Sequence, residues 1–292
     1  MIVLARSLLP ATYLPLKWGN DIGFRLRTSP KGMLRILLSH DIPPEQRSNF
    51  KKQIQSIART WTFISPSEFT KSQEAGEPIN GRKVMMTFDD GFHSNRWVAE
   101  AVLDPLGIKA LFFIPSDFID ITDVAAQKSF IANKVFGGMI KLEQVPKHAR
   151  PMTWGDLKAL VAAGHEMGSH TCSHTRLSDI TSRQQLEHEV IDSKARLEQM
   201  LGMAVTHFAF PFGNLKSINP EALSLARKHY QFVYSGIRGP NTHATPHWAV
   251  RRDSMQPNDT PLYVRSVLEG ALDPYYAARA RSLERMSLEN RT

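Results

Sequence analysis

Cysteine is nearly absent: the 292 residues contain one, Cys172. A single thiol excludes an intramolecular disulfide, so the fold must be held by its core, and this suits a reducing compartment. Long apolar runs are also missing, since no stretch approaches the ~18 residues of a membrane-spanning helix. The mildly apolar opening, residues 1–17, is interrupted by Pro10 and Pro15 and offers no small-residue cleavage site. The expectation is a soluble, cytoplasmic protein, with peripheral membrane contact left open. Internal repeats, low-complexity tracts and linkers are lacking too, which argues for one domain. Basic residues exceed acidic ones, giving a formal net charge of +8. No basic run or binding motif gathers that charge, which argues against a nucleic-acid partner. A diffuse basic surface instead attracts acidic glycans, phosphorylated lipid carriers or an anionic membrane face.

What is present is a regular alternation. Apolar runs over 33–39, 62–65, 83–88, 109–114, 165–169, 206–210, 232–235 and 248–251 read as strands. Between them fall helical patterns. One opens at Pro43 and Pro44 with Phe50, Ile54, Ile57 and Trp61 on one face, and another spans 96–106 and stops at Gly107. Thr153 caps a third, Thr181 with Gln184 reads as a capping box for the longest, and Asn219 with Pro220 opens a fifth. Residues 73–81 read as a polar loop and 275–290 as a helical tail. The connection 117–150 is long for a βα loop and reads as an insertion over one end of the fold, with a helix over 125–136. Strand–helix alternation predicts an α/β fold with a parallel sheet, either a barrel or a doubly wound sheet. His40, Asp89, Asp90, His170 and Pro211 each follow a predicted strand, and in a parallel barrel those ends share one face.

Chemistry concentrates at two places. The strand over 83–88 ends on adjacent carboxylates, Asp89 and Asp90, followed by Gly91. Alone this is an ordinary Asp-Gly turn, but neighbouring acids at a strand end point apart, so one can hold a metal while the other handles protons. His170 and His174, four apart, can bring two imidazoles to one metal, or can be partly buried polar residues. With a strand-end carboxylate the set becomes Asp90, His170 and His174. Two imidazoles, one carboxylate and an open position make a catalytic zinc-type set that also suits cobalt or nickel. Cys172, between the histidines, reads as a small packing residue, and His93 reads as exposed.

Three runs, Thr87-Phe88-Asp89-Asp90-Gly91, Ser169-His170-Thr171-Cys172-Ser173-His174 and Phe208-Ala209-Phe210-Pro211-Phe212-Gly213, resemble the first three motifs of the polysaccharide deacetylases (carbohydrate esterase family 4, the NodB-homology domain). The resemblance spans roughly residues 34–253. It implies a single-domain, distorted (β/α) barrel over 33–270, with the insertion 117–150, an irregular extension over 1–32 and a helical tail over 271–292. It also implies metal-dependent removal of acetyl groups from N-acetylated sugars, in polymers or lipid-linked glycans. By motif position Asp89 is the general base, and Asp90, His170 and His174 hold one divalent ion, zinc first. The Phe212 backbone N–H serves the oxyanion, in a turn fixed by Pro211 and Gly213.

Two departures stand out. The family's third motif commonly carries an Arg that orients the base, and Ala209 fills that slot. The later Leu-x-Ile-His motif, source of the general acid, is missing, and the matching region is 248–251. Arg251 or Arg252 are candidates for the orienting group, His243 or His247 for the acid, and His40 for the rim of the site. Alternatives are a deformylase or amidase on a small or lipid-linked amide, or an inactive carbohydrate-binding relative.

Overall fold

The computed structural model describes residues 32–77 and 79–289. The extension expected over 1–32 lies outside the described residues, save Gly32, which opens the first strand. Eight strands run in chain order: β1 (Gly32–Ser39), β2 (Thr62–Phe63), β3 (Gly81–Phe88), β4 (Ala110–Ile114), β5 (Glu166–Ser169), β6 (His207–Ala209), β7 (Phe232–Tyr234) and β8 (Asp253–Ser254). They form one sheet in the order β7-β6-β5-β4-β3-β1-β8, with β2 beside β3, and the pairings are parallel. Strands such as β4, all five residues of which are buried, read as continuous apolar runs because helices cover one face and the interior the other.

The choice between barrel and flat sheet is settled by what the inner face touches. Leu34, Ile36, Met85, Leu111, Phe113, Ala209, Phe232, Tyr234 and Val250 form one buried cluster. Phe113 of β4 and Tyr234 of β7 stand three places apart in the sheet, yet their rings are 5.0 Å apart. Such contact requires the sheet to curl around a common interior. The gap between its edges is spanned by residues 250–254. Val250 bridges Tyr234 of β7, while Asp253 and Ser254 pair with Leu37 and Leu38 of β1.

Several expectations shift in detail. Of the strand expected over 248–251, Val250 alone pairs, because Ala249 N–H bonds Pro246 O and coils the chain before it; the strand proper is β8. The polar loop starts later than expected, since a helix spans Pro66–Glu74, capped by a Ser65–Glu68 box. The expected Thr181 cap is displaced by one residue: Ser182 accepts from Gln185 N–H. The helix expected over 96–106 begins at Ser94 and closes through wider and then tighter turns to Gly107, which sits at φ 67°.

The tail is a helix, Asp273–Glu289, and it packs on the barrel. Ala280 and Leu283 are buried with Ile237 and Ala249. Arg35, fully buried on β1, donates to Asp273 at 2.9 and 2.6 Å and to Asp253 at 3.2 Å. Removing one partner of a buried ion pair leaves a desolvated charge, so Asp273→Ala is expected to cost roughly 3 kcal/mol. The midpoint of urea unfolding reports it.

The insertion has a small core of its own, Phe92, Phe118, Phe130, Ile131, Ala132, Val145 and Ala149, with Phe118 and Phe130 stacked at 4.7 Å. Phe92 follows Gly91 directly, so this core sits on the turn that ends β3. The insertion therefore walls the end of the barrel where the strands' C-termini open.

Candidate active site

Every turn that carries the suggested chemistry is held in an uncommon backbone conformation. Among the described residues the non-glycine positions with positive φ are Asp90 (72°), Thr171 (67°), His174 (55°) and Phe212 (63°). Each such residue costs on the order of 1–3 kcal/mol and persists only where surrounding contacts impose it. All four lie in the three loops that meet at one cleft. Gly213 (φ 62°) completes the third loop, and a Cβ there would stand 2.4 Å from Gly236 N, so the turn admits no side chain at that position.

Asp90 Oδ1 lies 3.1 Å from His174 Nε2 and 3.5 Å from His170 Nε2, all three residues buried. Each imidazole is fixed from behind. His170 Nδ1 donates to Ala209 O at 2.6 Å and His174 Nδ1 to Lys134 O at 3.0 Å. These bonds select the tautomer whose Nε2 lone pair faces Asp90, the arrangement usual behind metal-ligating histidines. Burial works against the charge on Asp90, but the His170 and His174 imidazoles beside it hold its carboxyl well below the usual range. The ligand atoms of the three residues lie within 4.8 Å of one another. Two Nε2 lone pairs, one carboxylate oxygen and the Ala209 and Lys134 carbonyls that hold the imidazoles in place fit a divalent metal.

Asp89 is the other carboxylate, and Arg252 grips it. Nη1 donates to Oδ1 at 2.6 Å and Nη2 to Oδ2 at 2.9 Å, with Nε on Ser235 O at 2.9 Å. The guanidinium is fully buried, 4.9 Å from the Phe113 ring. Such a bidentate fork fixes a carboxylate in rotation as well as position. Asp89 Oδ2 still stands 3.8 Å from His170 Nε2, on the side of the ligand set. Arg251 points elsewhere, to Pro240 O and Glu284. The slot left by Ala209 is thus answered from residue 252, across the barrel.

The cleft has a volume of about 580 Å³ and is lined by His40, Asp89, Asp90, His170, His174, Phe212, Gly213 and Arg252 among others. Pro211, buried, fixes the turn before Phe212. The Phe212 ring packs between Arg176 (4.2 Å) and the His174 edge (5.1 Å), and its backbone N–H has no protein acceptor among the described residues. His243 and His247 are not part of the cleft. His243 is exposed, and His247 packs at a tilt against Phe232, at the start of β7 and away from the strand ends that carry the site. Both expectations for an acid there are corrected: the chain after β7 touches the cleft at Gly236 and again at Arg252, and between those points it runs back beside β7, where His247 O accepts from Val233 N–H. A larger cavity, about 800 Å³, lies outside the barrel between the helices Arg47–Ala58 and Pro261–Leu268. It holds none of the carboxylate or imidazole groups above, so chemistry rather than volume selects the smaller cleft.

Sequence reasoning missed two supports. Glu189, 2% exposed, accepts from Ser173 N–H at 2.9 Å and Ser173 Oγ at 2.5 Å, locking the loop between the histidines. Lys134 reaches the site through its carbonyl alone, which no side-chain pattern reveals. Cys172 is 2% exposed and burial pushes its thiol up to about 12. The folded protein is therefore expected not to react with a thiol-exchange reagent at pH 8, and to react once denatured.

The geometry agrees with comparisons to known proteins. Residues 76–232 match the polysaccharide deacetylase family model. YxkH of Bacillus subtilis, which carries the polysaccharide deacetylase name, is 24% identical over 215 residues, covering 72% of this chain; the match spans about two thirds (66%) of that relative's length. The fold resembles the Streptococcus pyogenes deacetylase PplD, solved in complex with acetate (TM-score 0.64, 20% identity, 82% of this chain and 99% of that one). It also resembles IcaB from Ammonifex degensii (TM-score 0.62, 21% identity, 81% and 97%).

Proposed function

The chain belongs to the polysaccharide deacetylase family, and we propose that it is a metal-dependent hydrolase that cleaves the amide of an N-acetylated amino sugar, releasing acetate. One observation carries this reading: a Asp90, His170, His174 ligand set faces a carboxylate, Asp89, that is oriented but does not belong to the set. A divalent metal, zinc in this proposal, would be held by Asp90, His170 and His174 and would supply Lewis acidity toward water and the amide carbonyl.

The rest of the chemistry falls to the chain itself. Asp89 accepts the proton of the attacking water, and Arg252 holds the carboxylate in the orientation that accepts it. The Phe212 N–H, without another acceptor, donates to the developing oxyanion, a contact worth ~10²-fold in rate. His40 lines the same cleft and is the imidazole of its lining that lies outside the ligand set. It is the imidazole placed to protonate the departing amine. Arg252 weighs against the inactive, binding-only reading, because the orienting cation thought lost with Ala209 is supplied.

A second reading keeps the chemistry and changes the substrate. Val135, Phe136, Pro146 and Ala149 wall one side of the cleft, which favours a short or terminal sugar, or a lipid-linked amide, over mid-chain attack on a long polymer. A panel of N-acetyl and N-formyl sugars, free and oligomeric, separates the two. Acetate released from N-acetylglucosamine oligomers supports deacetylation; formate without acetate supports the deformylase. No helix among the described residues is long and apolar enough to cross a membrane.

A further inference from the structure

We propose that the tip of the insertion, residues 137–145, is a docking surface for an anionic lipid bilayer, holding the cleft mouth against the membrane face. What the docking serves rests on the deacetylase reading; the docking itself does not. The tip's place follows from the cleft wall. Val135 and Phe136 line the cleft, and so do Pro146 and Ala149. The chain between leaves that wall and returns to it, so it projects from the rim of the mouth.

At this tip Met139 is 78% exposed, more than any other large hydrophobic side chain among the described residues, and Leu142 is 48% exposed. The exposure is not for want of a core, because Phe130, Ile131, Ala132 and Val145 on either side are buried together. Nor is the tip loose: Gly138 N–H bonds Ala132 O, Lys141 N–H bonds Gln144 Oε1, and Val145 N–H bonds Leu142 O. The two aliphatic side chains are held outward.

Charge identifies the partner. Residues 134–150 carry four basic side chains, Lys134, Lys141, Lys147 and Arg150, against one acid, Glu143. All five are exposed. Lys134 reaches Thr175 Oγ1 at 3.4 Å, and Lys141 and Lys147 form no ion pair among the described residues. Aliphatic side chains ringed by unpaired lysines are the composition of an interfacial anchor: the former enter the acyl boundary and the latter meet anionic headgroups. A sugar platform would need an aromatic face, and residues 137–145 contain no aromatic residue. The substrate class so favoured is an N-acylated amino sugar carried on, or presented at, an anionic membrane surface.

Co-sedimentation with vesicles tests this. The full chain is expected to bind vesicles of equal parts phosphatidylglycerol and phosphatidylcholine, far less to pure phosphatidylcholine, and progressively less as salt rises. Met139→Glu with Leu142→Glu is expected to weaken binding about tenfold or more, and Lys141→Glu with Lys147→Glu by ~5-fold per positive charge removed. Circular dichroism and unchanged deacetylation of soluble tetra-N-acetylchitotetraose show that each variant folds. His170→Ala is expected to sediment like the parent while losing acetate release, so failure of the catalytic reading stays separate. Equal binding to both vesicle types, or parent-like binding by the Met139/Leu142 variant, overturns the proposal. So does a raised KM for the soluble tetramer with vesicle binding unchanged, which would make the tip a sugar subsite.

Discussion

Replacing His170 with alanine is expected to weaken divalent-metal binding by at least ~10²-fold and to reduce acetate release to background. His170 is 1% exposed, and its Nδ1 is already committed to Ala209 O at 2.6 Å. Only Nε2 is free, and it faces Asp90. Cys172, two residues away, cannot take its place, because its thiol donates to His188 O at 3.2 Å. The substitution also leaves the Ala209 carbonyl without its partner, a loss of about 1–3 kcal/mol. Metal content and melting temperature therefore have to be read together. Metal loss in a protein that still melts cooperatively assigns the effect to ligation.

Asp89→Asn is expected to leave the metal in place and slow turnover by ~10²- to 10⁴-fold, the usual worth of a general base. The change is nearly isosteric, but it is not silent structurally. Arg252 is fully buried and directs both Nη atoms at Asp89, so an amide there strips a buried guanidinium of its counter-charge at a cost of about 3–5 kcal/mol. A slow enzyme is thus also expected to be a less stable one. The double variant Asp89→Asn with Arg252→Met removes the stranded charge. It is expected to recover stability while remaining as slow as the single variant, which separates the chemical role from the structural one.

The cluster of Asp90, His170 and His174 and the neighbouring carboxylate proposed as base were legible in the sequence because they fall in short runs directly after strands, where β-sheet geometry places consecutive loops on one face. Arg252 was legible only as one of two neighbours. Choosing between them requires the register of β8. Period-two alternation then turns Arg252 toward the interior beside Phe113, and Asp253 outward to Arg35. The expected strand at 248–251 was displaced because Pro246 starts a turn, so that register could not be read. The histidines proposed as acids came from a segment without periodicity, where sequence proximity to a motif says nothing about direction. The helix Pro66–Glu74 has a capping box at Ser65 and Glu68, but Phe69 is its one large apolar residue, and no amphipathic stripe marks it. The wider turns at Ala99–Leu103, Ile131–Val135 and His188–Asp192 leave no trace in composition. One of them carries Glu189, which locks the loop of the metal-ligand histidines.

The most direct test of the account is acetate release from N-acetylglucosamine oligomers by metal-loaded protein, measured for the parent and for Asp89→Asn at matched metal occupancy. The account predicts steady release by the parent and release at least ~10²-fold slower by the variant. Equal rates for the two proteins, or no release by a parent that binds its metal, would contradict it.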